Sequence, residues 1–162
     1  MSDATTPREL LRHTLATLAY RLGKAVRGAP DSFAELRTGE STRTPARILA
    51  HIGDLMDWGL SMARGQQAWI ESPPRPWNDE VRRVSTALGA FDAYLASNAP
   101  LGLSAERLFQ GPIADALTHT GQLTLLRRLG GSPVRGENYA KAEIQAGRVG
   151  ATDQAAPTRE FD

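Results

Sequence analysis

Asp115 and His119 lie four residues apart in a segment whose apolar pattern predicts a helix. A spacing of four places two side chains on one face of a helix, about one turn apart. His51 falls in the apolar stripe of a second predicted helix. If the two helices pack together, two imidazoles and one carboxylate meet at one point. Such a group suits a single metal ion that keeps open coordination positions.

The ligand types narrow the choice of metal. Two histidines and a carboxylate suit Zn²⁺, Ni²⁺ or Fe²⁺, and three protein ligands leave room for water or substrate, as in catalytic sites. Gln122, three residues after His119, is expected to orient a ligand or line the substrate pocket. Asp54, three residues after His51, either orients an imidazole or is an ordinary surface aspartate.

The same residues also allow a purely structural interpretation. His51 is then a core histidine satisfied by one hydrogen bond, while Asp115, His119 and Gln122 form a solvated polar face. A carboxylate buried without a partner is unfavourable, so Asp115 requires either water or a cation. Spacing alone leaves both interpretations open.

The first two helices are indicated by their apolar steps and start signals. Leucines recurring every three or four residues predict a helix from about residue 6 to 27. Thr44 followed by Pro45 is typical of a helix start. The second apolar stripe consists of Ile48, His51, Leu55, Trp58 and Met62. Trp58 on this stripe is expected to be a core residue.

Further capping signals divide the rest of the chain. Ser32 with Glu35 predicts a capping box for a short helical turn. Asn78 is predicted to cap the third long helix and Ser104 a further helical stretch, which Gly111-Pro112 kinks or restarts. The last long helix then carries the stripe Asp115, His119, Gln122, Leu126 and Leu129, and ends before Gly130.

Four long helices with short connections and no convincing strand alternation predict an all-α four-helix bundle. Residues 1–146 are expected to form one domain, and residues 147–162 a frayed C-terminal tail. The irregular segment 132–139 must fold back on the bundle. It is either a lid over the cavity, with Arg135 and Tyr139 as contacts, or a structural clasp at the end of the last helix.

Composition excludes several classes of function. The chain has 162 residues and no cysteine, so a disulfide, a zinc-thiolate site and a cysteine nucleophile are all excluded. The net charge is +1 and the basic residues are scattered, unlike those of a nucleic-acid-binding protein. No apolar run approaches the roughly 18 residues of a membrane span. Without a secretory signal pattern at Met1, a cytoplasmic location is expected.

His13 lies off its helix stripe and is expected to be exposed.

Two short motifs carry a resemblance to a known family. Residues 50–54, Ala-His-Ile-Gly-Asp, and residues 119–123, His-Thr-Gly-Gln-Leu, with Leu-Arg-Arg shortly after, resemble the DinB/YfiT-like family of bacterial four-helix bundles. The resemblance implies a metal site with one histidine from the second helix and a His-x-x-x-His pair from the last. His51 matches the first ligand and His119 the last. Asp115 stands where the family has histidine.

The resemblance implies a metal-dependent enzyme acting on a small molecule. Relatives in that family include transferases and isomerases that use low-molecular-weight thiols such as mycothiol, bacillithiol or glutathione, and hydrolysis is a further possibility for this chain. The alternative is a non-catalytic bundle whose metal site has drifted and which acts as a binding or stress-associated protein. A homodimer is expected in either case.

Overall fold

The apolar stripes of four long helices meet in one core. In the computed structural model, which describes residues 5–150 and 153–162, these helices are α1 (Pro7–Val26), α2 (Pro45–Ala63), α3 (Trp77–Ala96) and α5 (Ala114–Leu129), with a short α4 (Ala105–Leu108) before the last. The all-α prediction with four long helices is therefore confirmed. None of the helices in this part of the chain is long and apolar enough to cross a membrane.

Most helices begin where the sequence indicates. Thr6 and Glu9 form a reciprocal capping box at α1, and the Thr44 hydroxyl accepts a hydrogen bond from the Arg47 amide at α2. Ser104 caps α4 in the same way.

Two predicted caps are wrong. Helix α3 begins at Trp77 and not after Asn78, because the Pro76 carbonyl already accepts hydrogen bonds from the amides of Asp79 and Glu80. The turn near Ser32 is a single 3₁₀ turn over Asp31–Phe33 and has no side-chain cap, since Pro30 sets its start.

Each long helix has two principal neighbours. Helix α1 packs against α3 and α5, and α2 packs against the same two helices from the other side. The fully buried side chains at the centre include Leu15, Leu18, Leu49, Ile52, Met56, Leu88, Phe91 and Leu123. Burial of each such side chain contributes about 1.5–3 kcal/mol. The pairing of α2 with α5 is the one that positions the candidate site.

The kink predicted at Gly111-Pro112 is present. Residues Phe109–Ile113 form a π-helical turn between α4 and α5. Pro112 has no amide hydrogen, so the regular α-helical ladder cannot continue through it. Helix α5 therefore starts at Ala114 with a fresh direction, one residue before Asp115.

Parts of the C-terminal region contact the bundle, where the sequence predicts a frayed tail. Gly136–Glu137 (β1) and Glu160–Phe161 (β2) form a small antiparallel pair, with Glu137 opposite Glu160. Val149 is buried in the core. These are long-range contacts that the local composition does not reveal. The division of the chain at residue 146 stays a prediction.

Candidate metal centre

Helices α2 and α5 bring His51, Asp115 and His119 together. Asp115 Oδ2 lies 3.6 Å from His51 Nε2, and Asp115 Oδ1 lies 3.4 Å from His119 Nε2. Each residue offers one ligand atom, and the three atoms lie within 4.8 Å of one another. The group could therefore hold a metal ion, as the sequence predicts.

The distances fit a small divalent ion. Metal–ligand bonds of about 2.0–2.1 Å in a tetrahedral site place neighbouring ligand atoms about 3.4 Å apart. The two carboxylate–imidazole distances, which start from different oxygens of Asp115, are close to that value, and the one ligand atom taken from each residue lies within 4.8 Å of the other two. They are also longer than ordinary hydrogen bonds, so the three groups converge without satisfying one another.

Gln122 contacts the His119 ring and orients it as a possible metal ligand. Its amide oxygen lies 2.8 Å from His119 Nδ1. An amide oxygen only accepts, so Nδ1 donates this hydrogen bond and Nε2 is the ring atom left available to a metal. Nε2 lies on the side of Asp115. A partner on the second ring nitrogen is the usual way in which proteins orient a histidine ligand, and the expected role of Gln122 fits this contact.

The surroundings of His51 favour its neutral imidazole. Burial lowers its pKa below the usual value, and the neighbouring His119 and Arg43 act in the same direction, against the opposite effect of Asp115. The ring meets the His119 ring edge-to-face, with centroids 4.7 Å apart, and the Trp69 ring at 5.6 Å. Metals bind the neutral form of imidazole, so this environment favours metal binding.

Asp115 differs from the two histidines in its exposure. Its side chain is 48% exposed, whereas those of His51 and His119 are 19% and 13% exposed. Water therefore reaches the Asp115 carboxylate, so the carboxylate does not need a cation to compensate for burial. The evidence for a metal is the convergence of three ligand atoms.

A groove of about 610 Å³ opens beside the three ligands. Besides these residues and Gln122, it is lined by Thr38, Thr42, Arg43, Ile48, Leu125, Leu126 and Leu129. Leu126 is buried, but Leu129 is 60% exposed. The polar half of the α5 stripe thus faces a cavity, while its last leucine forms groove wall and not core.

Asp54 has neither of its expected roles. It is almost fully buried, so it is not a surface aspartate. Its carboxylate accepts hydrogen bonds from the Arg83 guanidinium and, at 3.0 Å, from the Ser72 amide. These contacts join α2, α3 and the connection between them. Asp54 therefore stabilises the bundle and does not orient His51.

Arg135 and Tyr139 lie away from the groove. Arg135 is exposed and pairs with Asp162 at 3.0 Å, and the Tyr139 ring packs beneath the Arg21 guanidinium and against the edge of the Tyr20 ring. The alternative of a lid with these two residues as contacts is wrong.

The contacts of segment 132–139 fit the other alternative, a structural clasp at the end of the last helix. The buried Glu137 carboxylate accepts hydrogen bonds from the Tyr20 hydroxyl at 2.7 Å and from Lys24 Nζ at 2.8 Å. Arg127 donates to the Ser132 carbonyl and to carbonyls at the end of α1. The segment thus fastens the ends of α5 and α1 together.

Sequence reasoning missed two residues beside the site, Trp69 and Arg43. Trp69 lies in the connection after α2 and covers one side of His51; Trp58 is only partly buried and packs against it. Arg43 directly precedes the α2 cap. Both lie in connections, whose paths no periodicity reveals. His13 is exposed as predicted.

No protein-family model, curated protein or solved structure matches this chain. Its function therefore has to be inferred from the residues of the site.

Proposed function

We propose that His51, Asp115 and His119 bind a divalent transition-metal ion, Zn²⁺, Ni²⁺ or Fe²⁺, and that the protein is a metal-dependent enzyme acting on a small molecule. The observation that carries the proposal is the convergence of three ligand atoms from two helices within 4.8 Å. The lowered pKa of His51 and the contact of Gln122 with His119 support it, because metals bind the neutral imidazole and a partner on the second ring nitrogen orients a ligand.

Within that proposal the enzyme is a thiol-dependent transferase, an isomerase or a hydrolase of the DinB/YfiT-like type. One histidine from the second long helix and a pair spaced by four on the last are the ligand pattern of that resemblance. A divalent metal supplies Lewis acidity, which lowers the pKa of water or of a thiol and so makes a nucleophile at neutral pH. With no cysteine in the chain, any thiol comes from a cofactor.

The chain's own residues bind and shield the reactants. Gln122 orients His119 through a hydrogen bond to Nδ1, and the Trp69 ring packs edge-to-face against His51. Leu125 and Leu129 offer apolar groove wall to the carbon skeleton of a substrate. The exposed side of Asp115 leaves the approach from solvent open.

The test is elemental analysis of protein purified without chelator. We expect close to one equivalent of metal in the wild type and in His13→Ala, the matched control, because His13 is exposed on α1 and outside the cluster. His51→Ala and His119→Ala are expected to lose it. Wild-type protein that takes up no Zn²⁺, Ni²⁺ or Fe²⁺, even after incubation with each, would contradict the proposal.

The exposure of Asp115 favours one competing function, a non-catalytic bundle. Solvation alone satisfies a half-exposed carboxylate, so the cluster is stable without a cation. Such a protein would act as a homodimeric binding or stress-associated protein, and the homodimer stays a prediction. A metal-free wild type whose melting temperature is unchanged by added metal would support this alternative.

A further inference from the structure

Three arginines surround the start of α2, next to the candidate metal centre. Arg37, Arg43 and Arg47 line a cavity of about 600 Å³ that His51 also borders. Arg43 immediately precedes the Thr44 cap, and Arg47 follows it by three residues, in the first turn of α2. All three side chains are exposed at the cavity surface.

These arginines have no partner among the residues that the structure describes. Four other arginines, Arg12, Arg82, Arg83 and Arg135, form ion pairs with nitrogen–oxygen distances of 4.0 Å or less within the described residues. None of the three does. Their side chains also donate no hydrogen bond to those residues, in contrast to Arg83 and Arg127, which make several. Hydrated guanidinium groups without a protein partner can exchange water for a carboxylate or a phosphate.

The acidic residues of the same cavity do not cancel this charge. Asp54 is already paired with Arg83. Glu35 and Glu71 line the cavity but lie outside the 4.0 Å pairing distance of the arginines. Three free guanidinium groups therefore face two free carboxylates, and a bound divalent metal would add further positive charge nearby.

Arg43 connects this cavity to the metal centre. Among the residues that the structure describes, only Arg43 and His51 line both the arginine cavity and the groove that contains Asp115 and His119. An anionic group held by Arg43 consequently lies beside the ligands, while the apolar wall of Leu125 and Leu129 covers the remainder of the molecule. The groove then has a polar end for a charge and an apolar side for carbon.

We infer that the substrate of this site carries an anionic group, a carboxylate or a phosphate, which Arg43 binds with support from Arg37 and Arg47. The inference rests on the proposed metal-dependent function, because it takes the reacting end of the substrate to be at the metal centre. It adds the substrate class, small anionic molecules. Arginine suits the role because its planar donors match both oxyanions in pairs.

The experiment uses the full chain loaded with Co²⁺, whose absorption spectrum reports thiol coordination. Two probes of similar size are titrated: 3-mercaptopropionate, which is anionic, and 2-mercaptoethanol, which is neutral. We expect wild-type protein to bind the anionic thiol roughly 3- to 10-fold more tightly, as one exposed charge-assisted contact would give. Arg43→Gln is expected to abolish that preference while its Co²⁺ content and its affinity for 2-mercaptoethanol stay unchanged.

Controls and competitors sharpen the result. Arg148→Gln is the matched control, because Arg148 is equally exposed and lines neither cavity. It should keep the preference. Competition by inorganic phosphate and by acetate identifies the oxyanion: stronger displacement by phosphate indicates a phosphate-bearing substrate, and stronger displacement by acetate a carboxylate.

The failures are distinguishable. Protein that binds Co²⁺ and 2-mercaptoethanol but shows no preference, or whose preference survives Arg43→Gln, overturns the anionic-substrate inference and leaves the metal site intact. Protein that binds no Co²⁺ overturns the proposed function, and the inference with it.

Discussion

Two polar clusters in this molecule use similar groups for opposite purposes. In the clasp segment 132–139, the Glu137 carboxylate is fully buried, and its donors on α1, Tyr20 and Lys24, lie at 2.7 and 2.8 Å. In the metal centre the Asp115 carboxylate is half-exposed, and its imidazole neighbours lie at 3.4 and 3.6 Å. The clasp is complete without a ligand, whereas the groups of the candidate metal centre lie beyond ordinary hydrogen-bond distance of one another.

The difference follows from charge. Lys24 and the Tyr20 hydroxyl donate hydrogen bonds to Glu137, so each donor satisfies an acceptor and the buried charge is neutralised. At the candidate metal centre Gln122 orients His119 so that Nε2 faces the Asp115 carboxylate. Converging hydrogen-bond acceptors are stabilised by a cation. The clasp, in which donors and acceptors are matched, is therefore interpreted as structural, and the cluster of His51, Asp115 and His119 as a candidate binding site.

The largest expected effect is on the clasp. Glu137→Ala removes the acceptor of the buried Tyr20 hydroxyl and leaves Lys24 with the partly exposed Glu160 as its remaining ion-pair partner. It is therefore expected to reduce the free energy of unfolding by about 3 kcal/mol, the lower end of the loss when a buried ion pair is broken. Asp115→Ala in metal-free protein should change it by about 0.5 kcal/mol or less, as for other exposed positions. Urea denaturation followed by circular dichroism measures both. Equal losses in the two variants would remove the contrast between the clusters.

Metal should stabilise only one of the two clusters. At a free Zn²⁺ concentration 100 times the dissociation constant, binding adds about 2.7 kcal/mol to the free energy of unfolding. We expect this gain in wild type, its loss in His119→Ala and its persistence in the conservative clasp variant Lys24→Arg.

Asp115→His is expected to bind Zn²⁺ more tightly than wild type, because it adds a third imidazole to the set. Isothermal titration calorimetry of the two proteins gives the comparison. Unchanged affinity and metal content in this variant would count against the site.

A smaller effect is expected at Gln122. Replacing the partner of a histidine ligand typically lowers metal affinity about 10- to 100-fold, so Gln122→Ala should weaken Zn²⁺ binding by that factor. Gln122→Glu, which keeps an acceptor at His119 Nδ1, should retain most of the affinity. The metal-free stability of both variants should match that of wild type, and a loss there would assign Gln122 to the fold instead.

A last prediction concerns the pH dependence of the clasp. Burial and the hydrogen bond to Glu137 raise the pKa of Tyr20; burial lowers the pKa of Lys24, but the contacts with Glu137 and Glu160 outweigh it and raise that pKa overall. Groups with raised pKa values stabilise the fold fully below their unfolded values, about 10 here, and lose that contribution as the pH rises through the folded values.

Wild-type stability should therefore decline above about pH 10, and Tyr20→Phe should show a shallower decline. Thermal unfolding between neutral and strongly alkaline pH provides the measurement. An identical slope in wild type and Tyr20→Phe would mean that Tyr20 does not contribute to it.

The helices and the ligand pair on α5 were predictable because they depend on local spacing. Leucines at steps of three and four specify an amphipathic helix, and a separation of four puts Asp115 and His119 on one face. The start of α2 at Thr44-Pro45 and the break at Pro112 follow equally from the chemistry of single residues. The corrections at Asn78 and in the C-terminal region show where competing acceptors and distant contacts decide instead.

The amino-acid sequence by itself determined the helical class, the apolar stripes and the types of ligand available. Only the tertiary structure decided that His51 meets Asp115 and His119, that Asp54 pairs with Arg83, and that Arg43 borders the groove. The physical reason is the distance along the chain between the residues that interact. Periodicity encodes which face of a helix is buried, but the partner of each polar group depends on helix packing and on connection paths that no local pattern specifies.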